Sequence, residues 1–128
     1  MAKQVIHTDA APAAVGPYSQ AVAVSPGTLV FLSGQIGLEP NTGELISENF
    51  EGQVRKSFAN MQAVIEAAGG SLDHIVKLTL FLTDLSKFAS ANAIMADIIP
   101  QPYPARSTIG VTSLPKGAQF EVEAVVVL

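Results

Sequence analysis

The strongest constraint on the fold is the two-sided pattern of the C-terminal segment, residues 119–127. Successive side chains of a strand point to opposite faces of a sheet, so the alternation here predicts a strand with two unlike faces. One face is wholly apolar and must be covered by other elements, whereas the other mixes valines with glutamates. The apolar face is Phe120, Val122, Ala124 and Val126, and the opposite face is Glu121, Glu123, Val125 and Val127.

Two predicted helices can supply that cover. Residues 48–68 carry apolar side chains at three- and four-residue steps, with Ser47 as a candidate N-cap and Gly69-Gly70 as the stop. A second helix is predicted from near Ser86 to Pro100. The apolar positions of the two helices are Phe50, Val54, Phe58, Met61, Ile65 and Ala68, then Phe88, Ala91, Met95 and Ile98.

The remaining periodic segments predict strands. The order is β-β-α-β-α-β-β, an α+β fold in a single domain, 1–128, with both helices on one face of an antiparallel or mixed sheet. The first two strands are close enough along the chain to form a hairpin around the turn 25–28. The predicted strands are 19–24, 29–36, 75–82, 107–111 and 119–127.

The uncovered face of this sheet points to self-association. Only 14 % of the residues are charged, against roughly 25 % in ordinary soluble chains. The free faces mix large apolar groups with charges, which is typical of an interface. The alternative is an ordinary one-sided sheet with scattered exposed apolar residues. In 75–82 the predicted apolar face is Val76, Leu78, Leu80 and Leu82, with Lys77, Thr79 and Phe81 opposite; in 29–36, one face is Leu29, Phe31, Ser33 and Gln35.

Composition argues against several classes of protein. The net charge is −4 and no basic stripe exists, which disfavours a nucleic-acid partner. The absence of cysteine excludes disulfides and thiolate catalysis, and the two histidines, His7 and His74, are too few and too far apart to indicate a metal site. The start of the chain, Met1-Ala2-Lys3-Gln4, lacks a signal-peptide core, and no run approaches the ~18 apolar residues of a membrane span. We expect a cytoplasmic protein without a membrane segment.

Arg106 is the leading candidate for a binding residue. It is one of two arginines, the other being Arg55 in the first predicted helix. Three prolines at 100, 102 and 104 stiffen the approach to Arg106. A rigidly presented guanidinium suits two-pronged capture of a carboxylate or phosphate. The alternative is an ion pair with a neighbouring acid at a strand end.

Glu121 and Glu123 share the free face of their predicted strand. A carboxyl group on a buried interface requires a partner or a raised pKa, and either property suits a general acid or base. The alternative is a salt bridge with Lys77 at the rim of the sheet. Periodicity alone favours the salt bridge.

Other polar or small residues interrupt apolar segments. Asn92 lies on the apolar face of the second helix, where a structural hydrogen bond is the commoner role. Tyr18 precedes a strand and either fills the core or walls a pocket. Gly34 permits close approach of a backbone or ligand. Ser33 has no basic partner that would make it a nucleophile.

Six segments carry a family resemblance that runs nearly from end to end. They are Ala11-Pro12 with Gly16-Pro17-Tyr18-Ser19-Gln20-Ala21; Ser33-Gly34-Gln35-Ile36 with Asn41-Thr42-Gly43-Glu44; Glu66-Ala67-Ala68-Gly69; Asp84-Leu85 with Phe88 and Asn92; Pro104-Ala105-Arg106-Ser107; and Leu114-Pro115-Lys116-Gly117 leading to Glu121-Val122-Glu123-Ala124. In their order and spacing the chain resembles the Rid (reactive intermediate deaminase) family, also called YjgF-type or L-PSP-type proteins.

The resemblance implies a chorismate-mutase-like fold whose homotrimers enclose a central β-barrel, with helices outside and a cleft at each subunit interface. Enzymes of this family hydrolyse 2-imino acids, such as 2-iminobutanoate and 2-iminopropanoate, and their enamine tautomers to 2-oxo acids and ammonia. These reactive intermediates arise from pyridoxal-phosphate-dependent dehydratases. The resemblance implies that the chain itself needs no cofactor and no metal.

The family's site residues match positions of this chain. Arg106 matches the arginine that binds the substrate carboxylate, and Glu121 matches the acid that orients or activates water. Thr108 stands where many relatives have cysteine, and the segment 93–104 is a few residues shorter than is usual, which places the substrate range in question. The matching cleft residues are Tyr18, Ser33, Gly34, Phe88 and Asn92, and we include Thr108 among the binding residues.

Three functions are compatible with these residues. An imine deaminase uses Arg106 and Glu121 together. A ligand sensor or regulatory protein binds 2-oxo acids or similar carboxylates in the same cleft without turnover. An endoribonuclease or translation inhibitor, names that the family also carries, is disfavoured by the acidic charge and by the lack of a catalytic histidine pair.

Overall fold

The computed structural model describes residues 3–128, so that Met1 and Ala2 of the N-terminal segment considered above lie outside the described residues. It contains six strands and two α-helices in an α+β arrangement, with single 3₁₀ turns at 72–74, 85–87 and 115–117. Within this range no helix is long and apolar enough to cross a membrane. The strands are β1 Lys3–Ile6, β2 Ala21–Val24, β3 Leu29–Gln35, β4 Ile75–Leu82, β5 Ala105–Gly110 and β6 Phe120–Val127; the helices are α1 Phe50–Ala67 and α2 Phe88–Ile98.

The main sheet has four strands in the order β3-β6-β4-β5. Strand β6 is central and runs antiparallel to both β3 and β4, whereas β4 and β5 are parallel neighbours joined through α2. A parallel pair requires a crossover connection, which is the role of α2. Strands β1 and β2 form a separate antiparallel pair.

The core lies between the sheet and the two helices. The predicted apolar face of β6 is buried, with Phe120, Val122 and Val126 fully inaccessible. The ring of Phe120 contacts the rings of Phe50 and Phe58 on α1, at centroid distances of 6.3 and 5.7 Å. The prediction that both helices cover the same face of the sheet is therefore confirmed.

The opposite face of the sheet is open in the single chain. It exposes large apolar side chains: Phe31 retains 74 % of its surface, Leu29 58 % and Ile109 44 %. Since isolated proteins rarely leave a contiguous apolar area of this kind uncovered, the face has the character of an interface.

The predicted 19–36 hairpin is wrong. Strand β2 pairs with β1, a strand that the sequence reading missed because its four residues are mostly exposed and carry little periodic signal. Strand β3 pairs instead with β6, and the backbones of Thr28 and Leu128 exchange two hydrogen bonds of 3.1 and 2.9 Å that extend this ladder. The turn between β2 and β3 thus lies against the C-terminus.

The predicted face of β4 is wrong at one position. Ile75 pairs with Val126 and Lys77 with Val125, so Val76 is an extra residue in the strand. A bulge of this kind shifts the alternation by one position. Ile75 is therefore fully buried, while Val76 is only partly so.

Helix and strand ends differ by a few residues from prediction. The N-cap of α1 is Asn49, whose side chain accepts a hydrogen bond from the Gly52 amide at 2.8 Å, whereas the predicted cap, Ser47, accepts from the Asn49 amide. The predicted stop is confirmed, since Gly69 adopts a φ of 92° that favours glycine. Strand β5 begins at Ala105, so Arg106 lies inside it.

Candidate functional site

Arg106 is positioned by the parallel β4–β5 pair and by the segment before β2. In β5 it pairs with Leu78, a fully buried residue of the helix-facing side. The start of β5 is held by Ser19, whose amide donates to the Pro104 carbonyl at 3.0 Å and whose hydroxyl donates to the Tyr103 carbonyl at 2.6 Å. The side chain of Arg106 is thereby directed toward α2.

Four side chains surround the guanidinium of Arg106. Nη1 donates to Oδ1 of Asn92 at 2.5 Å and lies 3.7 Å from Sδ of Met95. The guanidinium carbon lies 4.7 Å from the ring centre of Tyr18 and 5.4 Å from that of Phe88. We call Tyr18, Phe88, Asn92, Met95 and Arg106 the arginine cluster.

The arginine cluster leaves part of the guanidinium available. Burial lowers the pKa of Arg106 from its ordinary value, and the Tyr18 hydroxyl opposes this shift. Because arginine is not deprotonated in proteins, the guanidinium remains a cation. Within residues 3–128 the ion pairs are His7–Asp9, Arg55–Asp97 and Lys56–Glu39, so the alternative of a neighbouring acid on Arg106 is not seen. Its hydrogen bonds involve Nη1, which leaves Nη2 and Nε for an anion.

The backbone at Gly16 lies close to the side chains of Asn92 and Arg106. A methyl group at Gly16 would lie 3.4 Å from Nδ2 of Asn92 and 3.7 Å from Nη2 of Arg106. Neither Gly16 nor Met95 was predicted as a site residue. Gly16 belongs to the Gly16-Pro17-Tyr18 segment of the family resemblance, and the position of Met95 on the apolar face of its helix indicated only a core residue.

Thr108 lies two residues after Arg106 on the same strand and so points to the same face. Its Oγ1 is buried and has no hydrogen-bond partner among the described residues. Buried hydroxyls are nearly always paired. An unpaired one next to an available guanidinium suits a polar ligand or a water bound with that ligand.

Glu121 lies on the free face, paired with Phe81 of β4. Its carboxylate occupies the space above Gly34, where a Cβ atom would overlap Oε2 and lie 2.7 Å from Cδ. Ser33 and Gly34 sit at the register shift of β3 opposite β6, and Ser33 is exposed. Burial, and secondarily the charge of Glu123, raise the pKa of Glu121. We call Ser33, Gly34, Glu121 and Glu123 the glutamate cluster.

The predicted salt bridge of these glutamates with Lys77 is not formed within residues 3–128. Nζ of Lys77 lies instead 3.4 Å from Oγ of Ser107. The same part of the chain contains no group of three or more potential metal ligands.

The two clusters do not meet within one chain. Arg106 is level with Leu78 and faces the helices, whereas Glu121 is level with Phe81 and faces away from them. Three residues along β4 and two strand spacings place their Cα atoms about 14 Å apart, with side chains directed to opposite faces. The structure thus joins Tyr18, Phe88 and Asn92 to Arg106, and Gly34 to Glu121, as two separate half-sites.

The fold and the half-sites define a small α+β protein. Arg106 lies on the helix-facing side of the edge strand β5, and Glu121 lies on the open face of the sheet. The profile of the Endoribonuclease L-PSP family matches residues 8–128. The chain therefore belongs to this family, also known as the YjgF or Rid family.

Individual relatives agree with this assignment. A 2-iminobutanoate/2-iminopropanoate deaminase of Dermatophagoides farinae is 42 % identical over 98 % of this chain and 97 % of the relative. The crystal structure of RidA from an Antarctic Psychrobacter bacterium is 48 % identical and superimposes with a TM-score of 0.77, covering 98 % of this chain and 99 % of that one. The structure of E. coli TdcF with bound serine is 40 % identical, with a TM-score of 0.73 and 98 % coverage of both chains.

Proposed function

We propose that the protein hydrolyses 2-imino acids, and their enamine tautomers, to 2-oxo acids and ammonia, with 2-iminobutanoate and 2-iminopropanoate as substrates. The observation that carries this proposal is the arginine cluster. A guanidinium fixed by Asn92 and by two aromatic rings, with Nη2 and Nε available, fits a small carboxylate. Serine, which E. coli TdcF binds, has such a carboxylate.

Glu121 is the group that we assign to proton transfer. Water adds to the C=N carbon and loses a proton to the carboxylate, which passes this proton to the nitrogen to give a carbinolamine. The carboxylate then takes the hydroxyl proton and passes it to the amine, so that ammonia leaves as the carbonyl forms. A base that later acts as an acid needs a pKa near the working pH, and burial shifts the pKa of Glu121 in that direction. The substrate is already reactive, so a modest acceleration suffices.

We also propose that the half-sites combine between copies in a homotrimer. Within one chain, Arg106 and Glu121 point to opposite faces of the sheet. The exposed apolar face beside Glu121 supports association through that face. The arginine cluster of one subunit would then face the glutamate cluster of another, and substrate would lie between them.

A competition assay tests the deaminase. A threonine or serine dehydratase generates the imine, semicarbazide traps it, and the protein competes for it, with 2-oxo acid release as the measured quantity. Arg106→Ala removes both arms of the clamp, so we expect kcat/KM to fall about 100-fold. Arg55→Ala is the matched control, because Arg55 is exposed on α1 and pairs with Asp97.

Two results would overturn the proposal. If the wild-type protein fails to accelerate release of the 2-oxo acid but binds pyruvate through Arg106, the site belongs to a carboxylate-binding protein without turnover. If Arg106→Ala retains full activity, the carboxylate anchor is elsewhere.

A further inference from the structure

The side chain of Gln20 makes most of the hydrogen bonds that hold the segment 8–15 before the arginine cluster. Oε1 of Gln20 accepts a hydrogen bond from the Thr8 amide at 2.7 Å. Its Nε2 donates to the carbonyls of Pro12 at 2.6 Å and Thr8 at 3.1 Å, with a longer contact of 3.4 Å to Ala11. The chain thus bends around the Gln20 amide, which uses both of its donors and its acceptor.

Burial contributes little to holding this segment. Residues 8–15 are all exposed, and Val15 retains 83 % of its surface. Exposed backbone without apolar contacts opens easily unless hydrogen bonds retain it. The bonds to Gln20 are therefore the main restraint at the start of the segment.

The other end of the segment contacts Tyr18. The Val15 amide donates to the Tyr18 hydroxyl oxygen at 3.3 Å, and the Tyr18 amide donates to the Gly16 carbonyl at 2.8 Å. Because the phenol oxygen accepts from Val15, its own proton remains free for another acceptor. The Tyr18 ring centre lies 4.7 Å from the guanidinium carbon of Arg106, which makes the Tyr18 hydroxyl a candidate donor to an anion bound by Arg106.

We propose that Gln20 is a positioning residue: it holds the segment 8–15 so that Val15 fixes the Tyr18 hydroxyl with its proton directed to the ligand bound at Arg106. The effect on turnover rests on the proposed function, whereas the effect on the segment does not. In this proposal Gln20 does not contact the substrate and acts only through Val15 and Tyr18.

Amide hydrogen exchange measured by NMR tests the positional part without any substrate. A single hydrogen bond of ordinary strength slows exchange about three- to tenfold. We expect Tyr18→Phe to accelerate exchange at Val15, and Gln20→Ala to accelerate it at both Thr8 and Val15. Gln62→Ala is the matched control, because Gln62 is a half-exposed glutamine on α1 whose side-chain amide donates to Glu66; it should change exchange at neither Thr8 nor Val15.

A double-mutant cycle tests the functional part, because a residue acting through Tyr18 loses its effect when the Tyr18 hydroxyl is absent. We expect Gln20→Ala and Tyr18→Phe each to lower kcat/KM about fivefold, and the double variant to fall no further than Tyr18→Phe alone. Should Gln20→Ala fail to fold, Gln20→Glu retains the acceptor for Thr8 while removing both donors.

Two outcomes would overturn the inference. Unchanged Val15 exchange in Gln20→Ala would show that the two ends of the segment are independent. Multiplied losses in the double variant would show a general structural effect. If the wild-type protein has no deaminase activity, the same cycle is measured as the affinity for pyruvate, so failure of the proposed function remains distinguishable from failure of this inference.

Discussion

At the scale of single residues, the Glu121 carboxylate can occupy its position because Gly34 has no side chain. The carboxylate fills the volume that any side chain at position 34 would need. Gly34 was predicted to allow close approach of a ligand or backbone, and the structure shows close approach of an acid from the neighbouring strand. The periodic pattern placed Glu121 on the free face but could not reveal this contact, because the register of β3 against β6 includes an irregularity.

Gly34→Ala should therefore impair the proposed deaminase activity without removing any functional group. The added methyl group displaces the Glu121 carboxylate, and we expect kcat to fall at least about tenfold, since small misplacements of a catalytic group are costly. Steady-state kinetics in the competition assay measures the loss. Gly52→Ala is the control, because its Cβ would lie 3.1 Å from Oγ of Ser47 and 3.5 Å from Oδ1 of Asn49 and would not contact Glu121. Equal activity of both variants would contradict the role of Gly34.

The raised pKa of Glu121 predicts a specific pH dependence of stability. Above its ordinary value of 4.5 the unfolded chain releases this proton while the folded chain still holds it. The free energy of unfolding must then decrease as the pH rises through the window between the two pKa values. Glu121→Gln should flatten that decrease, measured by urea unfolding at fixed protein concentration from pH 4 to 7. The effect is small because Glu121 is only partly buried, and an unchanged slope would contradict it.

At the scale of elements, the arginine cluster follows from the β4-α2-β5 crossover. Helix α2 packs over the parallel pair, so a side chain of α2 meets a side chain of β5 that faces the helices. The sequence predicted both elements and the inward position of Asn92, yet it favoured a structural hydrogen bond for this residue. The observed partner is Arg106, which periodicity could not identify because contacts between elements depend on their packing.

Variants of Asn92 should separate orientation from charge. Asn92→Ala removes the acceptor of Arg106 Nη1, and since a hydrogen bond to a partly exposed charge contributes about 1 kcal/mol, we expect KM to rise about fivefold with a smaller change in kcat. Asn92→Asp places a carboxylate on the guanidinium that competes with the substrate, so its KM should rise further. Asn41→Asp in an exposed loop is the matched control. A lower KM for the aspartate than for the alanine variant would contradict this assignment.

The errors at this scale have a common physical cause. Long segments with clear periodicity, such as α1 and β6, were predicted within a few residues because burial of one face dictates their pattern. Strand pairing depends on partners distant in the chain, so the expected 19–36 hairpin was wrong. The short strand β1 and the bulge at Val76 have no distinct pattern of their own.

At the scale of the whole molecule, the exposed sheet face matters because the two half-sites lie on opposite faces of the sheet and do not meet within one chain. Composition and the two-faced strands predicted an interface, and the resemblance implied a trimer. Neither could show that Arg106 and Glu121 lie on opposite faces of one sheet, because that requires the register of β4 with both of its neighbours. If catalysis needs both residues, assembly and activity must be lost together.

Phe31→Glu tests this link. Phe31 lies on the free face of the edge strand β3 and retains 74 % of its surface, which a partner on this face would cover. Burial of a phenylalanine contributes about 2–3 kcal/mol, and an unpaired carboxylate in its place adds a desolvation cost. By light scattering we expect the wild-type particle to have three times the 13.3 kDa mass of the chain and the variant to be monomeric and inactive. Val64→Glu, on the outer side of α1, should leave both properties unchanged. A monomeric variant with full activity would place the complete site within one chain, against the separation of about 14 Å across the sheet.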